Sequence, residues 1–272
     1  MLIIDNNYPE CLHNRKNIRI FALRKVRNDI NVIAIAWTIS LEEMYKIIIF
    51  DFDGTIADTN KCIIETFQQS LIELGFETME EKDISRLIGL PLTHMYAQLL
   101  HTDDKSLIDT AVATYRRLFT PISERTVTLF PHVAETLRQI HESGISTAIA
   151  TSRGRDSLRM LLKVHDIAQY IDTDCCEEDV TNKKPAPDMV ERILNETGFD
   201  AKDALVVGDT WFDIQMGRDA GCTTCGVTYG NHSRATLLEH GADHIIDDFA
   251  ELKSIDIFSS VFSNKTSHLS TL

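Results

Sequence analysis

The chain has 272 residues, 43% of them hydrophobic and 25% charged, with a formal net charge of −14. That is an ordinary globular composition, with room for one large domain or two modest ones. The acidic balance argues against a nucleic-acid backbone or an anionic membrane as partner, but leaves open an anionic small molecule at a local cationic or metal site.

Residues 1–43 differ in character from the rest of the chain. Arg15, Lys16, Arg19, Arg24, Lys25 and Arg27 stand against Asp5, Glu10 and Asp29, and the short apolar run Val32–Trp37 comes after them. The run is too short to cross a bilayer, and no small-residue cleavage site succeeds it. The segment therefore reads as an N-terminal extension, or as sequence upstream of a start at Met44. Without an export signal, Cys11, Cys62, Cys175, Cys176, Cys222 and Cys225 are expected to be reduced thiols of a cytoplasmic protein. Cys222 and Cys225 have C-x-x-C spacing but no second pair at zinc-ligand distance, so they are assigned to a core strand.

Ile47–Phe50 reads as a buried strand ending in the acidic loop Asp51-Phe52-Asp53-Gly54-Thr55. Alternation sends Asp51 and Asp53 to one side and Phe52 into packing. Helical spacing of Ile63, Ile64, Phe67, Leu71 and Leu74 comes next, stopped by Gly75. Further helical patterns near 80–88, 92–101 and 104–119 come without a convincing strand between them, and Pro121 is expected to close the last. Their apolar stripes are core faces of an all-helical insertion, placed at 59–124, and not cofactor sites.

From Pro131 helices and strands alternate. Helices are predicted over 131–142, 155–164, from the 183–188 loop through Asn195, near 213–219 and over 233–239. Strands are predicted at Ile145–Ala150, around Tyr170–Asp172, at Ala204–Val207, Thr223–Val227 and His244–Ile246. The alternation implies right-handed crossovers and a doubly wound parallel α/β sheet, formed by 44–58 and 125–253. Residues 254–272 read as a Ser-rich tail.

In such a sheet ligands gather at the carboxyl ends of the strands. The first strand delivers Asp51 and Asp53, the second Thr151 and Ser152, a later loop Lys183 and Lys184, and the fourth Asp209 with Asp213 four residues on. Each residue alone is explained by a helix cap or a turn. Together they offer carboxylates for a hard cation, best Mg²⁺, and a hydroxyl and an ammonium for the oxygens of a phosphoryl group.

On these residues the chain resembles the haloacid dehalogenase superfamily, in the phosphoglycolate-phosphatase-like branch that carries a helical cap. Asp51-Phe52-Asp53-Gly54-Thr55-Ile56-Ala57-Asp58 is similar to the first family motif, and Ala150-Thr151-Ser152 to the second. Lys184-Pro185-Ala186-Pro187-Asp188 is similar to the third, and Gly208-Asp209-Thr210-Trp211-Phe212-Asp213-Ile214 to the fourth. The resemblance runs from about Tyr45 to Leu252. It implies that Asp51 attacks phosphorus to form an aspartyl-phosphate, and that Asp53 serves as acid and then base. It implies phosphate contacts from Thr151, Ser152 and Lys184. It also implies a Mg²⁺ site made by Asp51, the Asp53 carbonyl, Asp209 and Asp213. The expected activity is hydrolysis of a small phosphate monoester, phosphoglycolate-like, with inorganic pyrophosphate as the alternative substrate.

The same resemblance sets other chemistries aside. Metal-free dehalogenases lack an acid at the position of Asp53, and phosphonoacetaldehyde hydrolases carry a small residue there. Sugar-phosphate mutases carry a His where this chain has Ile63, and an Arg in the cap loop that here reads Leu87–Leu92. A phospho-ligand-binding protein without turnover would be expected to have lost the nucleophile or a metal ligand; both are present. Arg86, His94 and Arg153 could contact a substrate anion, but as solvated surface residues they need no such role. The loop Thr228-Tyr229-Gly230-Asn231-His232 resembles that of relatives acting on phosphoglycolate or pyrophosphate.

Overall fold

The computed structural model describes residues 45–255. The expectations for the 1–43 extension, and for the tail beyond residue 255, lie outside the described residues. Strand β1 (Ile47–Phe50) and the two-residue strand β2 (Ala57–Asp58) come first. Helices α1 (Asn60–Glu73), α2 (Glu81–Ser85), α3 (Leu92–Leu99) and α4 (Lys105–Thr126) come next. Strand β3 (Thr128–Leu129) then pairs antiparallel with β2. This β2–β3 ribbon brackets the helical cap at its two connections, and two residues per strand are too few to leave a periodic signal in the sequence.

The chain then alternates through α5 (Val133–Ser143), β4 (Ser146–Ala150), α6 (Arg155–Val164), β5 (Thr173–Cys175), α7 (Asp188–Thr197), β6 (Ala204–Gly208), α8 (Trp211–Asp219), β7 (Thr223–Val227), α9 (Arg234–Glu239) and β8 (His244–Ile246). The sheet has six strands in the order β5-β4-β1-β6-β7-β8, all parallel. Counted along the core strands this is the order 3-2-1-4-5-6, which puts the topological switch between β1 and β6. The loops after those two strands carry Asp51 and Asp209, so the topology itself sets the acidic residues side by side.

Strand β1 is fully buried on both faces because helices cover both. Ile47 and Ile49 join Met189, Val190 and Ile193 of α7. Ile48 and Phe50 join Leu137 and Ile140 of α5, and Phe50 lies 5.4 Å from the ring of Phe249. Each such side chain contributes about 1.5–3 kcal/mol on burial, so the strand that delivers the acidic loop is also the anchor of both core layers. Cys222 and Cys225 fall into opposite layers, and all five cysteines among the described residues are free and buried. The C-x-x-C spacing thus serves packing.

The cap has its own aromatic centre. Phe67 of α1 sits 4.8 Å from Tyr96 of α3 and 4.8 Å from Tyr115 of α4. The Tyr96 hydroxyl shares a hydrogen bond with Ser70 Oγ inside it. Pro121 does not close α4 as expected; the helix continues to Thr126. Proline removes one backbone donor, but Phe119 and Ile122 on either side of it are buried at 4% and 3% exposure. That packing carries the helix through.

One strand is displaced from its expected place. Ala168–Tyr170 forms a 3₁₀ turn and the strand is Thr173–Cys175, not Tyr170–Asp172. Asp172 instead turns its carboxylate to the Thr147 N–H at 2.9 Å and the Ser146 hydroxyl at 2.7 Å, which fixes the start of β4. No helix among the described residues is long and apolar enough to cross a membrane.

Candidate active site

The ends of β1, β4 and β6 and the loop before α7 meet at one point. Lys184 Nζ, with its side chain only 1% exposed, donates to Asp51 Oδ1 at 2.7 Å and to Asp213 Oδ1 at 2.6 Å. Asp51, Asp209 and Asp213 are all buried and bring carboxylate oxygens within 4.8 Å of one another. Asp213 is fixed from the start of α8, where its Oδ2 accepts from the Thr210 N–H at 3.0 Å and the Thr210 hydroxyl at 2.6 Å in a capping box. Asp209 Oδ2 accepts from the backbone and side-chain nitrogens of Asn231 at 2.7 and 2.8 Å, and its Oδ1 faces the Thr55 hydroxyl at 3.3 Å.

Two glycines make room for Asp209. Gly54 has a φ of +83°, and a Cβ there would stand 2.3 Å from Asp209 Oδ2. A Cβ on Gly230 would stand 2.3 Å from Asp209 Cβ. Neither approach is open to a residue with a side chain.

The electrostatics follow from burial. Desolvation, with Asp213, Asp209 and Asp53 nearby, pushes the Asp51 carboxyl well above its usual range against the pull of Lys184. Burial and the charge of Asp213 push Asp209 up to about 7, partly offset by the Asn231 hydrogen bonds. Burial alone would depress Lys184, but Asp213 and Asp51 outweigh it and hold the ammonium protonated. Three carboxylates against one ammonium leave two negative charges uncompensated when all are ionised. An all-oxygen donor set with that deficit fits a hard divalent cation.

Above these groups lies a cavity of about 490 Å³ between sheet and cap, lined by Asp51, Asp53, Thr151 and Ser152 among others. Thr151 is fully buried, and its hydroxyl oxygen accepts from the Arg153 N–H at 3.1 Å, which leaves the hydroxyl proton free to donate. Ser152 donates to the Gly89 carbonyl at 2.9 Å and so ties the core to the cap loop. Asp53 is held by Arg153, which also lies 4.5 Å from the Phe119 ring. Of the three basic residues singled out in the sequence, Arg153 alone lines the cavity; Arg86 pairs with Asp83 at 3.3 Å and His94 is exposed.

Thr55, Thr210 and Asn231 were not picked out as site residues by sequence. Thr55 lies inside the first quoted motif and Asn231 inside the loop after β7, but their contacts to Asp209 cross 154 and 22 residues, which spacing cannot reveal. Thr210, by contrast, caps α8 with Asp213 three residues on, a local pattern that the sequence does carry. A second group, Asp174, Cys176 and Asp179, lies by Arg155, whose guanidinium pairs with both carboxylates and offsets one of their two negative charges.

A doubly wound α/β protein with an inserted helical cap and buried carboxylates at its topological switch is the class that fold and site define. The chain belongs to the haloacid dehalogenase-like hydrolases, whose family profile matches residues 48–227. It is 30% identical over 208 residues to the protein named Pyrophosphatase PpaX from Bacillus velezensis, covering 76% of this chain and 94% of that one. It is 31% identical over 212 residues to "Probable phosphatase IndB" from Dickeya dadantii, covering 77% and 92%. A solved structure described as a predicted phosphoglycolate phosphatase from Haemophilus somnus 129PT superposes with a TM-score of 0.71 at 22% identity, over 78% of this chain and 98% of that one. At that identity the likeness concerns the fold.

Proposed function

We propose that the protein is a Mg²⁺-dependent phosphatase that hydrolyses a small phosphate monoester through an aspartyl-phosphate. The observation that carries this reading is the meeting of Asp51, Asp209, Asp213 and Lys184 beneath a cavity that Asp51, Asp53 and Thr151 also line. Asp51, Asp209 and Asp213, with the Asp53 carbonyl, would hold the cation. With Mg²⁺ bound there, the negative charge of the phosphoryl group is offset and a carboxylate can approach it.

In the first step an Asp51 carboxylate oxygen forms a bond to phosphorus as the ester P–O bond breaks. The departing alkoxide takes a proton from Asp53. In the second step Asp53, now ionised, takes a proton from water; the hydroxide oxygen bonds to phosphorus and the bond to Asp51 breaks. Thr151 donates its hydroxyl proton to a phosphoryl oxygen, and Lys184 supplies fixed positive charge beside it. Ser152, also expected on the phosphate, lines the cavity, and its hydroxyl donates to the Gly89 carbonyl and so ties cap to core.

Pyrophosphate is the second reading, favoured by the name of the Bacillus velezensis relative. The loop after β7, Thr228–His232, resembles that of relatives acting on either phosphoglycolate or pyrophosphate and does not choose between them. The experiment is a panel of phosphate esters that includes both, assayed with and without Mg²⁺ beside an Asp51→Asn control. Metal-dependent phosphate release absent from the control is the expected result. Equal release by wild type and control on every substrate would remove the phosphatase reading.

A further inference from the structure

Tyr96 and Tyr115 share one aromatic cluster in the cap but differ at the hydroxyl. The Tyr96 hydroxyl is paired with Ser70 Oγ in the cap interior. The Tyr115 ring is held on three sides, 4.8 Å from Phe67, 5.9 Å from Phe119 and 6.5 Å from Tyr96. Its hydroxyl has no hydrogen-bond partner among the described residues, although the residue is only 5% exposed. A phenylalanine would keep every one of these ring contacts without leaving a polar group unpaired.

Tyr115 lines the active-site cavity together with Asp51, Asp53 and Arg153. Arg153 links it to the acid–base group, holding Asp53 while lying 4.5 Å from the Phe119 ring that stacks on Tyr115. Burial pushes the pKa of the hydroxyl well above its usual value, so it keeps its proton and acts as a donor. The rest of the wall carries charges of both signs. Arg116, largely exposed, pairs with Glu177 through Nη2 and keeps Nε and Nη1 free, while Asp156 and Glu178 face the same space. Net charge on the wall therefore neither excludes nor demands an anionic substrate. What Tyr115 lacks is an acceptor within reach, and a donor fixed by packing at a cavity is completed by one that the ligand brings.

We propose that Tyr115 is a specificity-determining residue, whose hydroxyl donates a hydrogen bond to an acceptor oxygen carried by the leaving group. The inference rests on the phosphatase reading above and concerns the leaving group, not the chemistry at phosphorus. A carboxylate, a hydroxyl or a second phosphoryl group supplies such an oxygen.

The test measures kcat/KM with Mg²⁺ for the wild type and Tyr115→Phe on two sets of substrate. Phosphoglycolate, 2-hydroxyethyl phosphate and pyrophosphate carry an acceptor oxygen beyond the bond that breaks; ethyl phosphate and phenyl phosphate carry none. Tyr115→Phe is expected to lower kcat/KM by about tenfold or more for the best substrate of the first set, and by less than about twofold for both of the second. Comparing each substrate with itself cancels differences in leaving-group reactivity. A loss shared equally by both sets overturns the inference, because the hydroxyl then serves phosphorus, Asp53 or the fold. An absence of loss in either set overturns it too, as does wild-type turnover confined to the second set. Thermal melts read the structural alternative: without substrate, Tyr115→Phe is expected to match or exceed the wild-type Tm. A fall of more than about 4 °C means that the hydroxyl is paired within the cap and overturns the inference. In each of these cases metal-dependent release that is silent in Asp51→Asn leaves the phosphatase reading standing. Absence of such release from every substrate sinks that reading and the inference with it.

Discussion

Arg153 closes its guanidinium fork on Asp53, with Nε donating to Oδ2 at 3.0 Å and Nη2 to Oδ1. The fork fixes the plane of the carboxylate two residues from Asp51. Packing against Phe119 of the cap at 4.5 Å fixes the fork in turn. Arg153 is thus a positioning residue for the proposed acid–base group, and its own contacts run to both domains.

Arg153→Met keeps the bulk beside Phe119 and frees Asp53. We expect kcat to fall by about 10²-fold while KM for a given ester stays nearly unchanged, because the guanidinium does not hold the substrate. Arg153→Lys should recover part of the loss, since an ammonium offers a point charge without the planar fork. Steady-state kinetics of both variants measure this. A large rise in KM with kcat intact would mean that Arg153 binds substrate instead.

Metal should be read out in stability as well as in activity. The Asp209 carboxyl is raised by burial, so the folded state holds its proton more tightly than the unfolded chain does. Stability from this group therefore falls as pH rises from the ordinary 3.8 to about 7. Mg²⁺ binds the ionised form, so the rise in Tm on adding it should be larger at pH 7.5 than at pH 5. Asp209→Asn should raise the metal-free Tm at pH 7.5 and abolish the Mg²⁺ shift, as followed by thermal melts at the two pH values.

His232 provides a second, oppositely signed pH effect. Its Nδ1 accepts from the Trp211 N–H at 3.0 Å, at the first turn of the helix that carries Asp213. Burial lowers its pKa below the usual 6.5. A histidine lowered on folding contributes stability that is present above 6.5 and is lost as pH falls through the folded value. His232→Asn keeps an acceptor for Trp211 and removes the titration. It should flatten the loss of Tm below pH 6.5 and leave Tm at pH 8 little changed.

Gly54→Ala tests the packing around Asp209. The φ of +83° and the 2.3 Å approach to Asp209 Oδ2 leave no place for a methyl group. The backbone strain should cost about 1–3 kcal/mol of stability. Displacement of Asp209 should abolish the Mg²⁺-induced rise in Tm in whatever fraction remains folded. Gly75→Ala, also at positive φ but with open space around it, should show the strain without the loss of metal response.

Much of this molecule was legible in the sequence because its signals are local. Ile47–Phe50 reads as a buried strand from four consecutive β-prone residues, and Asp51, Thr151 and Asp209 come directly after short, continuous apolar runs of this kind. Pro121 misled because propensity near one residue is weaker than a helix face packed on both sides of it. The strand near residue 172 misled because Asp172 is used by the neighbouring strand, which no local pattern encodes.

The sequence by itself determined the class of fold, the order of the site groups at three strand ends and in the loop before α7, and the cap inserted after the first of them. Only the tertiary structure decided how they are partnered. Arg153 lies on Asp53 across 100 residues, Lys184 on Asp51 across 133, and Asn231 on Asp209 across 22. Each is a property of pairs in space and therefore invisible to composition or spacing.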